Sequence, residues 1–164
     1  MADDSQQGTA GNGAAQTPSS EPEFSLQAVY LKDSSFEAPK GPRFEGNWNP
    51  QISLDLNTQA EELTPETREV VLTVSVSAKI GEVTVFLVEV KQAGLFGVSN
   101  LSGDDYRRAI ASIAPGVLFP YARAAISQLV SLGGFPQLLL PPVNFDALLA
   151  RSRSEAQTAS AARN

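Results

Sequence analysis

Arg68 to Phe96 reads REVVLTVSVSAKIGEVTVFLVEVKQAGLF, two runs rich in β-branched residues on either side of Ile80-Gly81-Glu82. Such runs, alternating with a period of two and broken by a glycine that can take positive φ, predict a long β-hairpin. A three-residue loop at Ile80 to Glu82 sets Ser75 opposite Leu87 and Thr73 opposite Glu89. One face then carries Val70, Leu72, Val74, Val76, Phe86, Val88 and Val90. The other carries Val71, Thr73, Ser75, Ser77, Lys79, Val85, Leu87, Glu89 and Lys91, a mixture that can face water. A two-residue loop slips the register by one and turns Glu89 to the apolar side, so three residues are preferred.

Working outward, residues 1–22 are small, polar or acidic after Met1 and cannot bury enough surface to order themselves, which predicts a disordered tail. Phe24, Leu26, Ala28 and Tyr30 alternate with Ser25, Gln27, Val29 and Leu31 as a strand, although Val29 to Leu31 blurs the pattern. Asp33 to Asn49 holds Pro39, Gly41, Pro42 and Gly46 and reads as a long irregular connection. Gln51 to Asn57, QISLDLN, is a clean half-buried strand with Ile52, Leu54 and Leu56 on one side. Polar Thr58 to Glu66 joins it to the hairpin.

Beyond the hairpin the period changes to that of helices. Asp104 to Ile113 starts with acids and carries Tyr106, Ala109, Ile110 and Ile113 at helical spacing, with Pro115-Gly116 as its stop. Val117 to Leu132 places Leu118, Ala122, Ile126, Leu129 and Val130 on one stripe, with Pro120 in the first turn and Gly133-Gly134 at the end. Phe135 to Val143 is a proline-bearing extended crossing. Asn144 can cap a last helix with Phe145, Leu148 and Leu149, expected to fray beyond Arg151. The chain therefore divides into a tail (1–22), one α+β domain (23–150) and a frayed or disordered C-terminal tail (151–164).

Composition narrows the chemistry. The 164 residues carry a net charge of −6, with 18 acidic against 12 basic residues, and this argues against nucleic acid as a partner. There is no cysteine and no histidine, so neither Ser-His-Asp nor Cys-His sites nor the usual zinc sites can be built. The N-terminus lacks the basic start and apolar run of a secretory signal, and no apolar run approaches the length of a membrane span. A cytoplasmic protein without direct membrane insertion is expected.

The remaining candidates have plain structural readings. Asp104 and Asp105 suit the first turn of a helix. Glu61 and Glu62 lie in a polar connection. Tyr121 and Arg123 fall off the apolar stripe of their helix, and Gly94, Gly97 and Gly103 have the wrong spacing for a phosphate cradle. Less plain is the apolar surface on extended segments: Tyr30, Phe36, Trp48, Ile52, Leu54, Leu56 and Phe135 to Leu140. It fits either ordinary core under long loops or a groove for extended apolar chain, and a small apolar ligand is an alternative occupant.

Four co-linear blocks carry a resemblance: YLKDSSFEAP (Tyr30 to Pro39), FLVEVKQAGLF (Phe86 to Phe96), LFPYAR (Leu118 to Arg123) and GFPQLLLPPVNFDALL (Gly134 to Leu149). Together they resemble the SecB family of protein-export chaperones. The resemblance implies an α+β protomer, a four-stranded antiparallel sheet with helices packed on one face, assembled as a dimer of dimers. It implies a homotetramer that holds unfolded preproteins and delivers them to the SecA motor, with no catalysis and no cofactor or metal. By position it implies that Asp33, Glu37, Leu87 and Glu89 dock the zinc-binding C-terminal tail of SecA. Tyr30, Trp48, Ile52, Leu54, Leu56 and Leu149 would line the preprotein groove, although the family often has an aromatic where this chain has Leu149. Val88, Val90 and Gln92 match positions linked to oligomer assembly. Arg151 and Arg153 make the C-terminal tail less acidic than in many members. A SecB-like chaperone dedicated to one partner fits the same blocks.

Overall fold

The computed structural model describes residues 21–161; residues 1–20 of the expected N-terminal tail and residues 162–164 lie outside it. Four strands, β1 (Glu23–Glu37), β2 (Gln51–Thr64), β3 (Thr67–Ile80) and β4 (Val83–Ser99), form one antiparallel sheet in the order β1-β4-β3-β2. The chain then runs through α1 (Gly103–Arg108), a π turn (Ala109–Ile113), α2 (Ala114–Leu132) and α3 (Phe145–Ala161).

The hairpin forms as expected, but its register differs. Ile80 pairs with Val83, so the loop is two residues, Gly81-Glu82, with Gly81 at φ 58°. Val85 is then left without a partner: Lys79 pairs with Thr84 and Ala78 with Phe86. This β-bulge restores the parity that the shorter loop lost. Ser75 lies opposite Glu89 and Ser77 opposite Leu87, two residues from the expected pairing. Both faces keep their expected members except Val85, which is buried rather than outward.

The inner face, Val70, Leu72, Val74, Val76, Ala78, Phe86, Val88, Val90 and Phe96, is buried under Leu118, Ala122, Ile126 and Val130 of α2, with Phe135, Leu140 and Phe145 closing the core. Close approach of α2 depends on Gly94. A Cβ there would lie 2.7 Å from Phe96 Cε2 and 2.9 Å from Leu118 Cδ2.

Three segments depart from their expected form. Asp33 to Glu37 is strand, paired with Leu87 to Lys91, and Thr58 to Thr64 continues β2 to a tight turn at Pro65-Glu66. Both read as loop because edge strands expose polar side chains, while the neighbouring strand satisfies their backbone. Pro115-Gly116 does not end a helix: Gly103 to Leu132 is helical throughout. The π turn lies directly before Pro115, where the missing N–H and the ring disturb the regular bonding. Pro120 accordingly sits inside α2, on its exposed side. This 30-residue helix is long and apolar enough to cross a membrane, contrary to expectation, but its apolar stripe is the one packed on the sheet.

Gly133-Gly134 does stop α2. Gly134 has φ 82°, and the N–H groups of Gly134 and Phe135 bond the carbonyls of Ser131 and Val130 at 3.0 and 3.3 Å, a Schellman cap. Asn144 caps α3 through Oδ1, which accepts from Ala147 N–H at 2.9 Å. That helix continues past Arg151 to Ala161. Ser152, Ser154 and Thr158 bond back to carbonyls of the preceding turn, and Arg153 reaches Asp104 at 3.1 Å.

Candidate functional site

Two β-bulges in β1 decide which of its side chains face which way. Leu26 pairs with Phe96 and Ala28 with Leu95, leaving Gln27 unpaired; Leu31 pairs with Gln92 and Asp33 with Lys91, leaving Lys32 unpaired. Since each bulge reverses the alternation, Ala28 and Tyr30 face outward while Val29 and Leu31 face inward. The second bulge reverses it again. Phe36 then stacks in the core on Phe86, with centroids 5.8 Å apart, and Asp33, Ser35 and Glu37 face outward opposite Lys91, Glu89 and Leu87.

The outer face thus brings Asp33, Glu37, Leu87 and Glu89 together. Leu87 is 42% exposed among the polar groups. Ser75 Oγ donates to Glu89 Oε2 at 2.8 Å, and Lys91 Nζ lies 3.8 Å from Asp33 Oδ2. A shallow depression of about 420 Å³ is lined by Glu37, Leu87, Glu89, Ser75, Ser77 and Asp55. Asp55, opposite Ser75 on β2, adds an acid that is not among the expected docking residues. The signal was present, because the alternation of QISLDLN already put Asp55 on the polar side.

The residues of the expected groove are not all brought together. Ile52, Leu54 and Leu56 pair with Ala78, Val76 and Val74 and share the inner face. Trp48 lies on that side, 5.7 Å from the Phe135 ring and 4.8 Å from Phe44. Beside it, Lys40 to Glu45, Ile80 and Val83 to Val85 line an open depression of about 650 Å³ at the hairpin end. Tyr30 is elsewhere: the bulge at Gln27 turns it to the outer face, where its hydroxyl donates to Glu69. Leu149 is half-buried on α3, whose main neighbour is the π turn. Val88, Val90 and Gln92 are buried on the inner face.

Electrostatics follow this geometry. Glu69 is 8% exposed and accepts from Lys32 Nζ and the Tyr30 hydroxyl, which together hold its carboxyl below the ordinary range. The same contact pushes Tyr30 up to about 12, chiefly because its proton is shared with a carboxylate. On the helical side, Arg108 and the Ser112 hydroxyl hold Asp146 low. Asp104 takes Arg107 and Arg153 as partners, and Glu62 pairs with Arg68 at 2.8 Å, so these acids have structural partners. Among the described residues no group of three or more His, Cys, Asp or Glu could hold a metal ion.

Comparison with known proteins agrees with this architecture. The family described as preprotein translocase subunit SecB matches residues 17–156. A protein-export protein SecB of Ectopseudomonas mendocina is 48% identical over 151 residues, covering 92% of this chain and 94% of its own. That of Pseudomonas paraeruginosa is 51% identical over 148 residues, covering 89% and 90%. A solved SecB-like chaperone of Mycobacterium tuberculosis, in complex with an antitoxin peptide, shares the fold. Its TM-score is 0.59 at 14% identity over 73% of this chain and 90% of its own. With a sheet and helix arrangement of this kind and half its residues shared with export chaperones over nine-tenths of its length, the chain belongs to the SecB family and is a chaperone of preprotein export.

Proposed function

We propose that the two faces of the sheet divide the work: the inner side holds unfolded preprotein and the outer side docks SecA. The observation that carries this is the segregation of Asp33, Glu37, Leu87 and Glu89 on the opposite face from Trp48, Ile52, Leu54 and Leu56. An unfolded chain offers apolar segments; the rim of Phe44, Trp48, Ile52 and Leu54 can bury them without reading sequence, and many such contacts add up. Binding competes with collapse, so the client stays unfolded. This is work done by binding, without catalysis, in the cytoplasm. The zinc-bearing tail of SecA, a basic partner, suits the acidic outer face, where charge complementarity speeds encounter and Leu87 supplies an apolar anchor.

Assembly as a homotetramer fits the exposed apolar groups on the helical side, Ile113 and Tyr121 among them. Val88, Val90 and Gln92 lie inside the protomer and act on assembly through the packing of α2 on β4. Tyr30 belongs to the outer face in this scheme, and Leu149 to the α3 end of the molecule. A small apolar ligand remains the second occupant for the depression of about 650 Å³, but its open form and its rim of Lys40, Arg43 and Glu45 favour a chain passing through.

The test is a titration with zinc-loaded SecA tail peptide in the presence of saturating unfolded preprotein. Independent binding of both is expected. Mutual exclusion would mean that the faces are not divided in this way.

A further inference from the structure

We propose that Lys32, gripped by Glu69, is a positioning residue for the outer docking face, because it pins the bulge that turns Asp33 and Glu37 outward. This rests on the docking role given to that face above. In regular alternation from the outward Tyr30, Lys32 would face out and Asp33, Ser35 and Glu37 would face in. Leaving Lys32 unpaired reverses the order: Asp33 and Glu37 join Leu87 and Glu89, and Phe36 drops into the core. The orientation of half the acidic face is therefore set at one residue.

That residue is held from two strands away. Lys32 is on β1 and Glu69 on β3, with β4 between them, and Lys32 Nζ still reaches Glu69 Oε2. Tyr30 makes the parallel reach to Oε1. The strand they cross carries only a methyl at this point. Ala93, opposite both Tyr30 and Val71, is fully buried on the outward side, as a small residue beneath two bridging side chains would be. Glu69 has reason to accept the cation, since Glu61 lies directly opposite it on β2 and repels it. A charge-assisted bond at a nearly buried carboxylate is stronger than a surface ion pair, and it acts where the bulge leaves the backbone ladder locally disrupted. Neither Lys32 nor Glu69 need touch the partner for this to work.

Positioning and simple electrostatics predict opposite signs. Lys32 is a cation beside an acidic face, so its removal should tighten a basic peptide if only the field matters. If Lys32 fixes the bulge, its removal loosens Asp33 and Glu37 and weakens the same peptide. The experiment measures affinity for the zinc-loaded SecA tail peptide, with amide hydrogen exchange over residues 31–37, in the full chain and its Lys32→Ala, Lys32→Arg and Glu89→Lys variants. Expected are a weakening of about fivefold for Lys32→Ala, faster exchange at 31–37 in that variant alone, and near-normal behaviour for Lys32→Arg. The Lys32 side chain is 45% exposed, so the substitution is compatible with folding. With Glu89→Lys weakened as expected, unchanged or tighter binding by Lys32→Ala overturns the proposal, whether or not exchange changes. Glu89→Lys separates the two failures: if it binds as tightly as wild type, the docking role of the face is wrong, and exchange at 31–37 still decides whether Lys32 pins the bulge.

Discussion

Ser75 lies directly opposite Glu89 across β3 and β4, and its hydroxyl donates a hydrogen bond of 2.8 Å to Glu89 Oε2. The acid at the centre of the outer face is thus held in place before any partner arrives, so little side-chain freedom is lost on docking. Glu89→Lys is expected to weaken the SecA tail peptide by tenfold or more, about 1.4 kcal/mol, while leaving client binding unchanged. Ser75→Ala should cost only a few-fold. Isothermal titration with peptide and with unfolded client reads both effects.

Trp48 is the one tryptophan of the chain and lies between Phe44 and Phe135, tilted to both rings, at the edge of the inner face. Its emission should shift to shorter wavelength when client covers it, and should not respond to the SecA tail peptide. A response to peptide but not to client would place the two ligands the other way round.

Arg68 ties the β2-β3 turn to the helices. Its guanidinium donates to the Tyr106 hydroxyl and to the carbonyls of Thr64, Pro65 and Thr67, and pairs with Glu62. Arg68→Ala removes these bonds together, but the Thr64 and Pro65 carbonyls and Glu62 turn to water, so it is expected to cost about 1 kcal/mol of unfolding free energy. Urea denaturation measures it.

Gly94→Ala should also destabilise, by about 1–3 kcal/mol, because the added methyl meets Phe96 on β4 and Leu118 on α2. Phe96→Leu in the same chain should recover part of the loss by making room, an outcome that loss of glycine flexibility would not give.

The acid limb of stability should report Glu69. Its folded carboxyl is held low, first by Lys32 and then by Tyr30. The stabilisation is therefore complete above the ordinary carboxylate value and disappears as pH falls through the lowered one. Tyr30 has the opposite sign: raised from 10.0 to about 12, it contributes below 10 and is lost as pH rises towards 12. Glu69→Gln should flatten both limbs in urea midpoints measured against pH. An unaltered acid limb would remove Glu69 as its source.

The sequence made the sheet legible because its inner face is written in Val70 to Val76 and Phe86 to Val90, where alternation and burial agree. It also grouped Leu87 and Glu89 with the outward residues, although through a loop one residue too long and a bulge not foreseen; the two differences cancel in parity. What stayed hidden follows from bulges and edges. Nothing in the local pattern of Phe24 to Glu37 announces that Gln27 and Lys32 go unpaired, so simple alternation groups Tyr30 with the apolar side. The polarity of Thr58 to Thr64 reflects an edge strand, which composition alone does not distinguish from a loop. Pro115-Gly116 reads as a stop because the local pattern does not announce that a π turn absorbs the proline and lets the helix continue.

The most direct test is aggregation of a urea-unfolded preprotein on dilution into the purified chain, followed by light scattering without nucleotide. Suppression that saturates at a fixed ratio of chain to client, and that Glu89→Lys leaves intact, is the result this account predicts. Scattering identical with and without the chain would contradict it.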